Sequence, residues 1–298
     1  IPGLFDDDPD GLCAFMLLYR YIGEGIGYPV KSAPMVTIEH LKVVREHEPD
    51  VIFVLDLNDV DQEFIDRAGV PVYWIDHHGM QDPVGCHYYN PMRYSKEYTC
   101  TTALCYQVTG QDLWIATIGT LWDYYWAPYL EEFKKSRPDL LPESVSTIRE
   151  AVYDHPIGKI VRLFSFNLKG TSKQTTASVA ACIKIQSLEE LENKSSEAAQ
   201  LLWSRYESIN RDYNKIKTRA MATKAVEGVW VFTYDVDENS VTKDLANEIV
   251  HRFPSTIIVL GRLKDGSYRC SLRATVDIPL RTLLLRALEL VVVVHADG

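Results

Sequence analysis

The chain lacks what would place it in a bilayer or in a disulfide-built scaffold. None of its apolar runs approaches the roughly 20 residues needed to cross a membrane. Its opening, Ile1-Pro2-Gly3, has neither a basic n-region nor a long apolar h-region, so it does not read as a signal peptide. The six cysteines, at 13, 86, 100, 105, 182 and 270, include no C-x-x-C pair. In a chain this long and apolar they read as reduced, mostly buried thiols, which points to a cytoplasmic location. Cys86, His87, Cys100 and Cys105 are too irregularly spaced for a zinc site. Positive charge is also scarce. With 31 Lys and Arg against 41 Asp and Glu, the net charge is −10, which disfavours a general duplex-binding surface.

What is present has the balance of a globular protein, 46% apolar and 24% charged. The 298 residues suffice for two domains with a core each. Cys13–Ile22 reads as a helix behind an acidic turn. Val51–Leu57 is a near-continuous apolar run rich in β-branched residues, the pattern of a strand buried on both faces. A short helix over Gln62–Ala68, a strand over Val70–Ile75, and helices over Thr101–Gln107 and Trp114–Trp122 follow. This alternation predicts an α/β fold with a parallel, doubly wound sheet. From Pro128 to Gln186 the pattern is helical, with breaks at Pro138, Pro142 and Pro156.

Ser187–Ala222 contains neither Pro nor Gly and opens with a capping-box-like Ser187-Leu-Glu-Glu190. It reads as one long connecting helix. Beyond it, strands over Val229–Tyr234, Thr256–Leu260 and Tyr268–Ala274 and helices over Thr242–Phe253 and Pro279–Leu290 predict a smaller α/β domain. The expected organisation is a catalytic domain over 1–186, a connecting helix over 187–224 and a substrate domain over 225–298.

Acids recur where strands are expected to end: Asp6-Asp7-Asp8-Pro9-Asp10-Gly11, Asp56 behind VIFVL, Asp76-His77-His78-Gly79 behind VYWI, and Asp123 in Gly119-Thr-Leu-Trp-Asp123. In a parallel sheet the carboxyl ends of the strands border the ligand crevice, so these side chains can meet although distant in sequence. Two carboxylates about 4 Å apart repel by on the order of 4 kcal/mol at an effective dielectric near 20. Several together must protonate or bind cations. Asp8, Asp10, Asp56 and Asp123 carry four negative charges, which two divalent ions would balance. Oxygen donors with one imidazole suit Mn²⁺ or Mg²⁺ better than a thiolate-type zinc site.

The order D-x-D-x-D-G, strand-Asp, Asp-His-His, G-T-x-x-D resembles the four motifs of the DHH phosphoesterase superfamily, in its RecJ-like single-strand exonuclease branch. The resemblance implies two divalent metal ions, Mn²⁺ before Mg²⁺. Asp8 and Asp10 would each ligate one ion, Asp56 and Asp123 would contact both, and His77 would supply an imidazole ligand. Asp76 and His78 would orient ligands and the attacking water, making Asp76, His77 and His78 the catalytic set, with Asp6 in a similar orienting role. The end of the chain resembles the DHH-associated C-terminal domain. There Ser271-Leu-Arg273 matches a Ser-x-Arg substrate contact, and His295 stands where the family has Gly-Gly-Gly-His. Two departures stand out: Leu4 occupies the place of a common family histidine, and Val291 to Val294 replace the glycines.

The implied activity is hydrolysis of single-stranded DNA or RNA from an end, without a membrane partner and in the company of replication or repair proteins. Short oligonucleotides, cyclic dinucleotides and pyrophosphate are the alternative substrates. A non-catalytic replication scaffold ranks last, because all four motifs keep their acids. On the connecting helix, Arg205, Arg211, Lys215, Lys217, Arg219 and Lys224 alternate with Trp203, Tyr206 and Tyr213. That mixture either tracks a single strand by stacking or docks its aromatics on a domain.

Overall fold

A computed structural model describes residues 2–31, 35–95, 97–235 and 240–275, together with Thr282. The chain divides into two compact units, Ile1–Glu207 and Ser208–Gly298.

The first unit opens with β1 (Pro2–Asp6), α1 (Pro9–Ile22), β2 (Ile26–Val30), β3 (Met35–Val36) and α2 (His40–Arg45). Next come β4 (Ile52–Leu55), β5 (Asp59–Val60), α3 (Gln62–Arg67), β6 (Val72–Ile75) and β7 (His87–Tyr89). Helices α4 (Thr101–Thr109), α5 (Leu113–Trp122), α6 (Leu130–Ser136), α7 (Ile148–Asp154), α8 (Ile157–Asn167), α9 (Ser172–Lys184) and α10 (Leu188–Asn193) follow, and α11 (Glu197–Met221) crosses the division between units. Five strands form one sheet in the order β2-β1-β4-β6-β7, every pair parallel. One face carries Leu4, Val54 and Trp74 into a core with Leu41 and Val44 of α2 and Phe64 of α3. The opposite face carries Phe5, which stacks on Phe15 of α1 at 5.2 Å between ring centroids. Helices thus cover both faces, as the doubly wound pattern predicts.

Two glycines let the layers approach. A Cβ on Gly11 would lie 2.7 Å from the Asp6 carbonyl oxygen, and one on Gly119 would collide with Thr102 and the Cys13 side chain. The glycine of D-x-D-x-D-G therefore lets α1 start tight against β1. The glycine of G-T-x-x-D lets α5 pack on α1 and α4. Leu4 is fully buried in the sheet core. Its departure from the family histidine thus puts an apolar side chain among apolar neighbours.

The uninterrupted helix expected over 187–222 is instead two helices. Ser187 caps α10 by accepting from the Glu190 N–H at 3.1 Å, and α10 ends at Lys194, whose φ of 53° is left-handed. Ser196 then accepts from the Ala199 N–H at 3.1 Å and starts α11 afresh. Serine caps override the absence of Pro and Gly. The aromatics of α11 dock inward rather than facing a strand of nucleic acid. Trp203, Tyr206 and Tyr213 are buried, and the Trp203 indole donates to the Leu191 carbonyl at 2.7 Å.

The second unit holds β8 (Val229–Asp235), α12 (Thr242–Arg252), β9 (Ile257–Lys264) and β10 (Ser267–Arg273). Its sheet runs β10-β9-β8, with β8 and β9 parallel and β10 antiparallel. The expected helix Pro279–Leu290, the Val291–Val294 run and His295 lie outside the described residues. No described helix is long and apolar enough to cross a membrane.

Candidate metal centre

The acids assemble because parallel strands all end at one edge of the sheet. Asp6 closes β1, and Asp8 caps α1, accepting from the Asp10 and Gly11 N–H groups at 3.0 and 3.4 Å. Pro9 at the first helical position gives up an N–H that would have had no partner. Asp56 follows β4 with φ 60°, its N–H donating to the Ile75 carbonyl at 2.9 Å. The ladder ends there and the chain turns out of the sheet. Asp76 marks the same point on β6, donating to the Tyr89 carbonyl at 3.1 Å. Asp123 ends α5 as its C-cap.

Asp10 points from the first turn of α1 at the start of α4. Its carboxylate oxygens accept from the Thr101 and Thr102 N–H groups at 2.9 and 2.7 Å, and the Thr102 hydroxyl returns a bond to the Asp10 carbonyl at 2.8 Å. Thr101 Oγ1 donates to Asp56 Oδ1 at 3.2 Å. The amino end of α4 therefore steadies two of the acids with N–H and O–H donors.

His77 lies among them. Its Nε2 is 3.2 Å from Asp56 Oδ1, 3.6 Å from Asp123 Oδ2 and 3.8 Å from Asp10 Oδ2. Both ring nitrogens are buried without a hydrogen-bond partner among the described residues. Three overlapping groups, each with donor atoms within 4.8 Å of one another, can be drawn: Asp10, His77 and Asp123; Asp56, His77 and His78; and Asp6, Asp8 and Asp56. Asp76 stands outside these groups, engaged with its neighbour. It accepts from the His78 N–H at 3.0 Å and lies 2.8 Å from His78 Nδ1.

The electrostatics are those of a site short of positive charge. Burial, then the nearby Asp10, Asp8, Asp123 and Asp6, push the Asp56 carboxyl well above the usual range. Burial likewise raises Asp10, partly countered by His77. Burial lowers His77, favouring its neutral, ligating form. His78 is raised, chiefly by its bond to Asp76. Buried acids pressed together around an orphaned imidazole fit a divalent cation, which would balance the acids and occupy the imidazole lone pair. Oxygen donors plus one nitrogen match Mn²⁺ or Mg²⁺ chemistry. Among the described residues, Cys86, His87, Cys100 and Cys105 join no such group.

Of the residues singled out in the sequence, Asp8, Asp10, Asp56, His77, His78 and Asp123 come together, with Asp6 among them. Ser271 and Arg273 lie on β10 of the second unit. There Arg273 Nε donates to Asn247 Oδ1 at 2.7 Å and its Nη1 to the Leu272 carbonyl at 2.8 Å. Lys31, near Asp7, and Lys169 carry little sequence signal, and Arg205 of the connecting helix joins them. Lys31 Nζ donates to the Gly170 carbonyl at 2.9 Å, and Arg205 Nη2 to the Lys169 carbonyl at 2.9 Å. Burial lowers the Lys31 ammonium, Asp7 supports its charge, and Lys169 and Arg205 oppose it. Lys169 also lies 6.0 Å from the ring centre of Trp122, the neighbour of Asp123. A lysine after an apolar strand is a weak signal alone; its position behind β2, at the same sheet edge as Asp6, gives it meaning. Tyr98 and the Thr101-Thr102 pair are the other residues that sequence reasoning passed over.

Residues 2–121 match the family described as DHH family, N-terminal domain. In structure the chain is similar to RecJ in complex with Mn²⁺ from Thermus thermophilus, with 14% identity and a TM-score of 0.62. That likeness covers 93% of this chain and 45% of that one. It is also similar to exonuclease RecJ bound to manganese, with 14% identity and a TM-score of 0.51, covering 93% of this chain and 78% of that one. The chain thus spans less than half the length of the Thermus thermophilus protein. No curated protein matches it in sequence. The shared property at such identities is the fold, which is RecJ-like.

Proposed function

Because residues 2–121 are a DHH-family N-terminal domain on a RecJ-like fold, we propose that the chain is a divalent-metal-dependent phosphodiesterase that hydrolyses single-stranded DNA or RNA from an end. The observation that carries this reading is His77, buried without a hydrogen-bond partner and ringed by Asp10, Asp56 and Asp123 at 3.2–3.8 Å.

Asp8, Asp10, Asp56, His77 and Asp123 would hold two ions, with Mn²⁺ favoured over Mg²⁺ by the imidazole donor. Such ions supply polarisation of a phosphoryl oxygen and a water that ionises near neutrality. The remaining work falls to the chain's own groups. Asp76 fixes the His78 ring through Nδ1 and favours its protonated form. The His78 side chain, 43% exposed, can then offer its other N–H to a phosphoryl or leaving oxygen. Lys31, Lys169 and Arg205 would receive a substrate phosphate as a group of cations. Residues 225–298 serve as the substrate domain, with Ser271, Arg273 and His295 as contacts. A cytoplasmic location, with replication or repair proteins as companions, completes the reading.

The test is release of nucleotides from an end-labelled single strand by Mn²⁺-loaded protein. Progressive shortening from one end supports the reading, and a folded, Mn²⁺-loaded sample that leaves the strand intact contradicts it. The net charge of −10 favours a second reading, in which the substrate is only a few nucleotides long. Rates on dinucleotides, long strands and pyrophosphate separate the two.

A further inference from the structure

Asp123 is the one acid of the cluster that neither a strand end nor a helix start orients. It caps α5 with its N–H on the Gly119 carbonyl at 3.1 Å, and Tyr124 after it takes a left-handed φ of 56°. The helix end thus sets where its Cα lies but not where its carboxylate turns. Tyr98 reaches that carboxylate from another part of the chain. Its hydroxyl donates to Asp123 Oδ2 and lies 2.9 Å from the Asp123 main-chain oxygen. Its ring stands edge-on to His77 at 5.5 Å and to Tyr125 at 6.1 Å. The Oδ2 atom that it holds is the one 3.6 Å from His77 Nε2.

The placement of Tyr98 in the chain gives this contact its meaning. Three and four residues on, Thr101 and Thr102 give their N–H groups to Asp10. One short segment, residues 98–102, therefore grips Asp10 through main-chain amides and Asp123 through a phenol. A tyrosine phenol is protonated at neutral pH and a carboxylate oxygen can only accept, so Tyr98 is the donor in this contact. More than half of the residue is nevertheless exposed, at 53%. Its contribution to the core is correspondingly small, while its hydroxyl and one ring edge are engaged at the cluster.

We propose that Tyr98 is a positioning residue that fixes the Asp123 carboxylate toward His77, so that Asp10, His77 and Asp123 present one ready-made site to a divalent ion. The proposal rests on the metal-dependent reading above and adds to it a residue outside the four acidic motifs. A donor that orients a metal ligand raises affinity by sparing the ligand the cost of finding its rotamer; losing such a partner typically weakens metal binding by roughly 10- to 100-fold.

The experiment is Mn²⁺ titration by calorimetry, with free Mn²⁺ followed by electron paramagnetic resonance, on wild type, Tyr98→Phe and Tyr94→Phe. Metal-free thermal midpoints are recorded for all three. Tyr98→Phe keeps the ring and removes only the hydroxyl; Tyr94 is an exposed tyrosine whose ring stacks on Tyr89. The expected result is roughly tenfold or greater weakening of one Mn²⁺ site in Tyr98→Phe, with Tyr94→Phe and the metal-free midpoints unchanged. Identical isotherms for wild type and Tyr98→Phe overturn the proposal while leaving the metal-dependent reading intact. Equal weakening in both variants, or a lowered metal-free midpoint for Tyr98→Phe, overturns it in favour of a purely structural role. A wild type that takes up no Mn²⁺ removes both this proposal and the reading beneath it.

Discussion

The two units use β-structure in opposite ways. In the first, five parallel strands lie between layers of helices and release their chains at one edge. Asp6, Asp56 and Asp76 stand at those exits, and buried acids gather around His77, with the Asp56 carboxyl raised by burial and by its neighbouring acids. In the second, β10 is an antiparallel edge strand with exposed residues along most of its length. Its polar residues, Ser271 and Arg273, have ordinary partners or solvent. A buried cluster with an orphaned imidazole declares its chemistry through its energetic cost. A polar edge strand bears no such cost and is compatible with many roles.

Substitutions that act on the two units unequally can break this contrast. The largest effect is expected at Asp10. Asp10→Asn removes one of the two paired acids and one of the two acceptors for the Thr101 and Thr102 N–H groups, and turnover of a labelled strand should fall to background while circular dichroism stays native. Retained turnover would mean that the cluster is not the site.

Next in size is Gly119→Ala. The added methyl meets Thr102 and Cys13 in the layer that carries Asp10 and Asp123. It should cost about 1–3 kcal/mol in urea unfolding and lower Mn²⁺ affinity with it. A neutral result would show that α5 can slide without disturbing the site.

The smallest effect is expected from Arg273→Ala in the second unit. It should raise KM several-fold and leave kcat nearly unchanged, as loss of a ground-state contact does. A fall in kcat comparable with that of Asp10→Asn would erase the distinction between the units.

Much of the first unit was legible because its signals are physical necessities. A β-branched apolar run such as VIFVL has the pattern of a doubly buried strand, and the acid behind it turns out of the sheet, as Asp56 does at φ 60°. The strand ends were less legible: Val51–Leu57 shortens to Ile52–Leu55, and Val70–Ile75 to Val72–Ile75 behind Pro71. Strands β1 and β2 carry little sequence signal because each is five residues long and contains Gly and Pro. Lys194 is likewise hidden, since a left-handed lysine between two serine-capped helices has no composition signature. Tyr98, Lys31 and Lys169 gain their roles only from three-dimensional proximity. The proposed substrate contacts of the second unit rest on resemblance alone, and His295 lies outside the described residues.

The acid cluster also carries a sign that can be measured. The Asp56 carboxyl is raised by folding, so it contributes stability below the ordinary carboxylate range and loses it as pH climbs through its raised value. Metal-free protein should therefore weaken as pH rises through that window. His77, lowered by burial, acts in the opposite sense only as pH falls below its ordinary value near 6.5.

The most direct measurement is the thermal midpoint of wild type and Asp56→Asn at about pH 8, once in EDTA and once in excess Mn²⁺. Asparagine accepts the left-handed backbone at this position and removes the titratable carboxyl. In EDTA, Asp56→Asn should melt above wild type. In Mn²⁺ the order should invert, because wild type gains about 2.7 kcal/mol at a hundredfold excess over Kd and the variant gains less. A wild type that is the more stable of the two in EDTA and indifferent to Mn²⁺ would contradict the claim that these acids are gathered to hold cations.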